Sequence, residues 1–236
     1  MNSRQESILD AIIREFVETA EPVGSLCLVE KYQFPFSPAT IRAEMAELER
    51  LGYIYQPHTS AGRVPTEAGY RYFVNLILEE TKHSKLEKKH SHKVLGKELT
   101  YERLVDLAAK TLAESTGNVG IVGISGLIYS HGIANLYNQP EFLEHANVVR
   151  TAETLDRMHE LMEEMPKVRN PLVFIGSEGP FGHSSGSSLV VVGFETPYNT
   201  LGRIAVLGPT RMSYPRVIAV VEEVREMLES WQHQYK

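Results

Sequence analysis

Residues 37–72 read SPATIRAEMAELERLGYIYQPHTSAGRVPTEAGYRY, and the order of signals in this stretch decides the fold. Ser37 is a natural helix N-cap, and Pro38 falls at the first helical position, where its missing N–H costs nothing. At 3.6 residues per turn, Ile41, Met45 and Leu48 share one face that must be buried. The opposite side of the first turns carries Ala39 and Ala43, flanked by Thr40 and Arg42. Small residues let a helix approach another surface closely. A DNA major groove admits such a helix, with arginine reaching guanine or phosphate and threonine reaching a base or the backbone. The same spacing also fits a solvated Arg42 on a three-helix domain that binds no nucleic acid.

The residues after this helix favour the first reading. Tyr53–Ile54–Tyr55 is β-prone, His58–Thr59–Ser60–Ala61–Gly62 is turn-like, and Arg63–Val64 can return as a second strand. Two short strands joined by a polar loop form a wing, whose tip can lie along a phosphate backbone or in a minor groove. His58, Thr59, Ser60 and Arg63 are its candidate donors. Gly62 is placed with them, although it can equally serve only to tighten the turn. Thr66 caps a further helix, with Tyr70, Phe73, Val74, Ile77 and Leu78 as packing residues.

Upstream, Ser3 and Glu6 have capping-box spacing before the helical run Ile8, Leu9, Ile12, Ile13, Phe16 and Val17. Leu26, Leu28, Val29 and Tyr32 predict a short second helix. Charge is the awkward feature of this quarter. Residues 1–80 hold more acidic than basic side chains, and Glu44, Glu47 and Glu49 lie on the third helix itself. A binding face would have to concentrate Arg42, Arg63 and Arg71 while the acids point elsewhere, and two copies on a two-fold site would be needed for useful affinity.

The stretch SPATIRAEMAELERLGYIYQPHTSAGRVPTEAGYRYFV, preceded by EPVGS, resembles the N-terminal signature of the HrcA family of heat-inducible transcription repressors. The resemblance places the family's helix-turn-helix on Gly24–Leu51 and its recognition-helix positions on Ser37, Ala39, Thr40, Arg42 and Ala43. It places the wing on His58, Thr59, Ser60, Ala61, Gly62 and Arg63. GIANLYNQPEF (132–142) and LGRIAVLGPTRMSYPRVIAVVEEVREML (201–228) are similar to further family segments. The fold implied is α+β: an N-terminal winged helix-turn-helix over 1–80, a basic linker or helix extension over 81–103, and a shortened GAF-like antiparallel-sheet domain over 104–236. The family pattern has considerably more sequence between the segments matching TGNVGIVG and GIANLYNQPEF. Here only Ile124–His131 separates them, which puts the family's dimerising insertion in doubt. The resemblance further implies a homodimer on a double-stranded DNA operator, the inverted repeat called CIRCE, with the chaperonin GroEL as modulator.

The remaining sequence bounds these expectations. At 236 residues with 42% hydrophobic and 23% charged side chains, the chain can bury a proper core in each of two domains. Its net charge of −6 argues against indiscriminate polyanion binding. No apolar run reaches transmembrane length and the N-terminus is unlike a secretory signal, so a cytoplasmic protein is expected. Cys27 is the only cysteine, so no internal disulfide or thiolate metal cluster is expected.

The segment 81–103 is locally basic, and a solvated linker or a second DNA-facing patch both fit it. His83, His90 and His92 lack the carboxylate support and spacing of a metal site. From Leu104 the texture is that of interspersed helices and strands. Strands are expected at 119–124, 172–175, 189–194 and 203–207, and helices at 104–112, 155–165 and 217–231. The Gly/Ser-rich 175–188 lacks Walker-loop and dinucleotide orderings, and Glu178, His183 and Ser184 do not declare a catalytic set. No enzyme, cofactor or metal is expected. A DNA-binding regulator of another operon, responding to a small ligand through its C-terminal half, is the alternative.

Overall fold

The computed structural model describes residues 1–84, 100–166, 168–178 and 186–231. The chain divides into two compact units, Met1–Thr81 and Lys82–Lys236. The stretch 85–99, with His90 and His92, lies outside the described residues, as do the side chains of Lys82 and His83 and the residues His183 and Ser184.

The first unit runs α1 (Ser3–Thr19), α2 (Ser25–Tyr32), α3 (Pro38–Arg50), β1 (Ile54–Tyr55), β2 (Val64–Pro65) and α4 (Glu67–Ser84). The cap of α1 is Asn2 and not Ser3. The Asn2 side chain accepts from the Gln5 amide at 2.9 Å, and Gln5 Oε1 accepts from the Asn2 amide at 3.1 Å, so the reciprocal box forms one residue earlier than the spacing of Ser3 and Glu6 suggests. Glu6 is engaged elsewhere, accepting from the Tyr72 hydroxyl of α4 at 2.6 Å.

The core of this unit is Ile8, Leu9, Ile12 and Ile13 of α1 against Leu28, Ile41, Leu48, Ile54 and Val74, all essentially inaccessible. In α2 the buried residues are Ser25 and Leu28, three apart on one face, which leaves Leu26 outward and 55% exposed. The short second helix expected from Leu26, Leu28, Val29 and Tyr32 is thus present, with Leu26 on its outward side. β1 and β2 pair antiparallel, Ile54 opposite Pro65 and Tyr55 opposite Val64, and an isolated antiparallel bridge joins Arg63 to Val23.

The second unit contains α5 (Tyr101–Thr116), β3 (Val119–Ile124), β4 (Leu127–His131), α6 (Ile133–Tyr137), α7 (His145–Asp156), α8 (Met158–Glu164), β5 (Leu172–Ile175), β6 (Ser187–Glu195), β7 (Leu201–Pro209) and α9 (Tyr214–Trp231). Its sheet is antiparallel throughout, in the order β4-β3-β7-β6-β5. Alternate residues of the central strands, Val119, Ile121, Leu189, Val191, Ala205 and Leu207, pack with Leu136, Phe142, Met158 and Met162 from the α6–α8 side. The helices α5 and α9 pack against the sheet and each other. Helices on both faces explain why β6 is buried over eight successive residues, with an apolar run after its two opening serines.

Two details of this unit depart from the sequence expectation. β4 is an additional strand. The helix expected through 155–165 is two, α7 and α8, broken at Arg157. The segments containing NQPEF and GPTRM meet, because the Arg211 guanidinium reaches Glu141 and donates to Gln139 Oε1 at 2.8 Å. Among the described residues no helix is long and apolar enough to cross a membrane.

Candidate nucleic-acid interface

The site is built on the start of α3. Ser37 caps it, its hydroxyl accepting from the Thr40 amide at 3.2 Å and lying 3.0 Å from the Thr40 hydroxyl. This fixes both polar side chains at the first turn. Ile41, Met45 and Leu48 are buried as their spacing requires, so the helix cannot rotate without exposing them. Ala39, Arg42 and Ala43 consequently face outward, all exposed. Arg42 is not loose. Its Nε donates to the Ser25 hydroxyl at 3.1 Å, and Ser25 is the buried first residue of α2. The segment EPVGS thus orients the guanidinium.

The acids of α3 are neutralised within the unit. Glu44 is held by Arg4 and Gln5 of α1, each at 3.0 Å. Glu47 pairs with Arg50 at 2.6 Å, and that contact holds its carboxyl below the usual carboxylate range. Glu49 pairs with Arg63 at 2.9 Å. The sequence argument asked that the acids point elsewhere; instead each finds a cationic partner, and one of those partners is Arg63 itself.

The loop between β1 and β2 brings His58, Thr59 and Ser60 to the surface, all exposed, with the Ser60 hydroxyl 3.3 Å from His58 Nδ1. Gly62 has a structural reason. A Cβ built on it would lie 2.7 Å from the Pro22 carbonyl carbon and closer still to the carbonyl of Val23. Only a residue without a side chain lets this backbone lie against residues 22–23. Arg63 then exchanges both backbone hydrogen bonds with Val23, at 2.8 and 2.9 Å.

The structure brings Arg42, Ser60, Gly62 and Arg63 around one cleft of about 370 Å³, together with Leu26 and Gln56. Ser37, Ala39, Thr40, Ala43, His58 and Thr59 lie outside its lining, and Arg71 sits half-buried on α4. Sequence reasoning missed Gln56, Glu49 and Ser25 as residues of this region. Only the position of Gln56 just before the turn could have signalled it.

A second cleft, about 560 Å³, opens in the other unit beside the β3–β4 turn, lined by residues 123–128, His159, Met162, Glu163, 199–201 and Arg203. Its arginine is occupied: Arg203 donates to the carbonyls of Glu163 and Met165. Glu178, from the Gly/Ser-rich stretch, accepts from the Ile175 amide at 3.1 Å and so closes the turn after β5.

Comparison with known proteins adds an independent finding. Residues 68–218 match the family described as HrcA protein C terminal domain. The chain is similar to the heat-inducible transcription repressor HrcA of Natranaerobius thermophilus, 28% identical over 329 aligned positions that cover 97% of this chain and 96% of that protein. It is 37% identical over 172 positions to the protein of the same name from Brevibacillus brevis, covering 71% of this chain and 49% of that one. A crystal structure titled as that of a hypothetical protein shares the fold, with a TM-score of 0.83 and 20% identity over the full length of both chains.

Proposed function

The chain belongs to the HrcA family of heat-inducible transcription repressors, and we propose that it represses transcription by binding double-stranded DNA through α3 and the loop that follows β1. The first unit is then a winged helix-turn-helix, and the second a shortened GAF-like domain that serves regulation and pairing. Ala39 and Ala43 let α3 enter a major groove, Thr40 and Arg42 read base edges or phosphate, and His58, Thr59 and Ser60 meet the backbone beside it. Ser37 fixes the start of the helix, Gly62 holds the wing close, and Arg71 of α4 adds a further positive charge to the binding face.

One observation carries this reading. α3 presents an exposed small-residue face with an oriented arginine, while Glu44, Glu47 and Glu49 are all paired within the unit. The pairing suits a helix that meets a duplex, because uncompensated carboxylates beside phosphates are costly. The finer proposal is a homodimer on a CIRCE-type inverted repeat, with GroEL favouring the competent form through a folding equilibrium coupled to binding.

The test is a binding assay across a salt series, comparing the inverted repeat with scrambled duplex of matched composition. Specific repression predicts a preference that persists as salt rises, on top of a shared electrostatic slope. Equal affinity for both duplexes at every salt concentration would refute it.

A further inference from the structure

The loop between β1 and β2 is tied down by the side chains of Glu49 and Gln56. The Glu49 carboxylate, in the last turn of α3, uses both oxygens. Its Oε1 accepts from the Gln56 backbone amide at 3.0 Å, and its Oε2 pairs with Arg63 Nη2 at 2.9 Å. One carboxylate therefore holds both ends of the loop to the helix. Inside the loop, Gln56 Nε2 donates to the carbonyls of Thr59 at 3.1 Å and Ala61 at 2.9 Å. An amide nitrogen has two hydrogens, and both are used. The Ala61 amide closes back on the His58 carbonyl at 2.9 Å.

We infer that Gln56 and Glu49 are positioning residues for the DNA-contacting loop, and that Arg63 acts through Glu49 and not by touching the duplex. The inference rests on the DNA-binding reading above and assigns roles within it. Fixing a residue's backbone costs conformational entropy, so a loop of this length left free would have to be ordered at the moment of binding. Ordering it beforehand removes that cost from association. The geometry also turns two loop carbonyls inward to Gln56, so that a phosphate approaching the tip meets side-chain donors without facing those oxygens. Arg63 is only 18% exposed at its side chain, its Nε is shut away from solvent, and its backbone is locked to Val23. It is poorly placed to reach outward, and its loss would leave Glu49 unbalanced next to DNA.

The experiment uses the full chain with Gln56→Ala, Arg63→Ala, Glu49→Ala and the Glu49→Ala/Arg63→Ala pair. It reads amide exchange over residues 58–62 without DNA, and inverted-repeat binding across a salt series. Gln56→Ala should exchange faster at Ala61, bind the repeat about tenfold more weakly, and keep the wild-type salt slope and melting temperature. Wild-type exchange or wild-type affinity in this variant overturns the role of Gln56. The Glu49→Ala/Arg63→Ala pair, in which no carboxylate is left unbalanced, should keep the wild-type slope and lose no more affinity than the worse single. A slope lower by about 0.9, the signature of one lost phosphate contact, or additive losses would return Arg63 to the contact set. If wild-type protein does not distinguish the repeat from scrambled duplex, the DNA reading itself fails. The exchange result then still reports whether Gln56 orders the loop.

Discussion

Replacing Gly62 with alanine is the sharpest probe of how the first unit is assembled. The added methyl would meet backbone, not the flexible end of a side chain: the Pro22 carbonyl carbon at 2.7 Å and the Val23 carbonyl nearer still. Ordinary contact between such atoms needs about 3.5–4.0 Å, so the two segments must separate by an ångström or so. That separation opens the Val23–Arg63 bridge, whose two hydrogen bonds span 2.8 and 2.9 Å. Overpacking costs about 1–3 kcal/mol and each of the two hydrogen bonds about 1 kcal/mol, so the expected loss is about 3–5 kcal/mol. For a unit of this size each kcal/mol lowers the melting temperature by about 4–8 °C, which predicts a drop of at least about 10 °C. The assay is amide exchange at Val23 and Arg63, the two bridge donors, alongside thermal unfolding by circular dichroism. Slow exchange at both amides with wild-type melting would show that close approach is not what this position requires.

Four further outcomes are expected. Arg42→Ala should weaken inverted-repeat binding while costing no more than about 1 kcal/mol of stability for the lost bond to Ser25, losing about 0.9 from the salt slope if the residue meets phosphate, or about 1–3 kcal/mol of sequence discrimination if it meets a base; unchanged affinity and discrimination would remove it from the interface. Tyr101→Phe should be neutral or slightly stabilising in denaturant titration, because the Tyr101 hydroxyl is buried with no hydrogen-bond partner among the described residues; a loss above about 1 kcal/mol would contradict that. Glu15→Gln should be less stable than wild type at neutral pH, with the difference closing in acid. The Glu15 carboxyl is held below its ordinary value, chiefly by the Lys31 ammonium at 2.8 Å, so its contribution is full above the ordinary carboxylate pKa and lost as pH falls through the lower folded value; a difference that persists at pH 2 would refute this. Gly126→Val should destabilise the β3–β4 hairpin by at least about 1 kcal/mol, seen as faster exchange along β4, and unchanged exchange would refute it.

What the sequence disclosed of this fold was local. Ser37, Pro38 and the spacing of Ile41, Met45 and Leu48 suffice to start α3 and choose its buried face, because capping and helical phase depend on neighbours a few residues away. The outward placement of Ala39, Arg42 and Ala43 follows from the same phase. The electrostatics of that face were not legible. Glu44 finds Arg4 and Gln5 across some forty positions of chain, and Glu49 finds Arg63 across fourteen; those pairings exist only once α1 and the loop are in place. Which side of α2 is buried was not legible, and Leu26 lies exposed, because an eight-residue helix offers too few turns for an apolar face to declare itself. The break at Arg157 has neither proline nor glycine to announce it. β4 was hidden in residues that the sequence offered only as a spacer between two family-like segments.

That spacer bears on the shortened second unit. An alignment of 329 positions with the N. thermophilus protein cannot be filled by 236 residues, and the family resemblance places the missing stretch between Ile124 and His131. The structure closes this interval with two residues. Ser125 and Gly126 both take positive φ, 46° and 79°, as a two-residue hairpin turn matched to sheet twist demands. Pairing runs without a slip from Ile124 opposite Leu127 to Gly120 opposite His131. The register of β3 and β4 is thus set by residues 120–131 alone. Loop-closure entropy grows with the length of the connection, so a two-residue turn joins these strands at lower entropic cost than a long excursion would. The sheet owes nothing to the extra segment of longer relatives. Integrity of the sheet and the role of that segment are therefore separate properties, and the homodimer proposed above would have to draw on surfaces that this chain still carries.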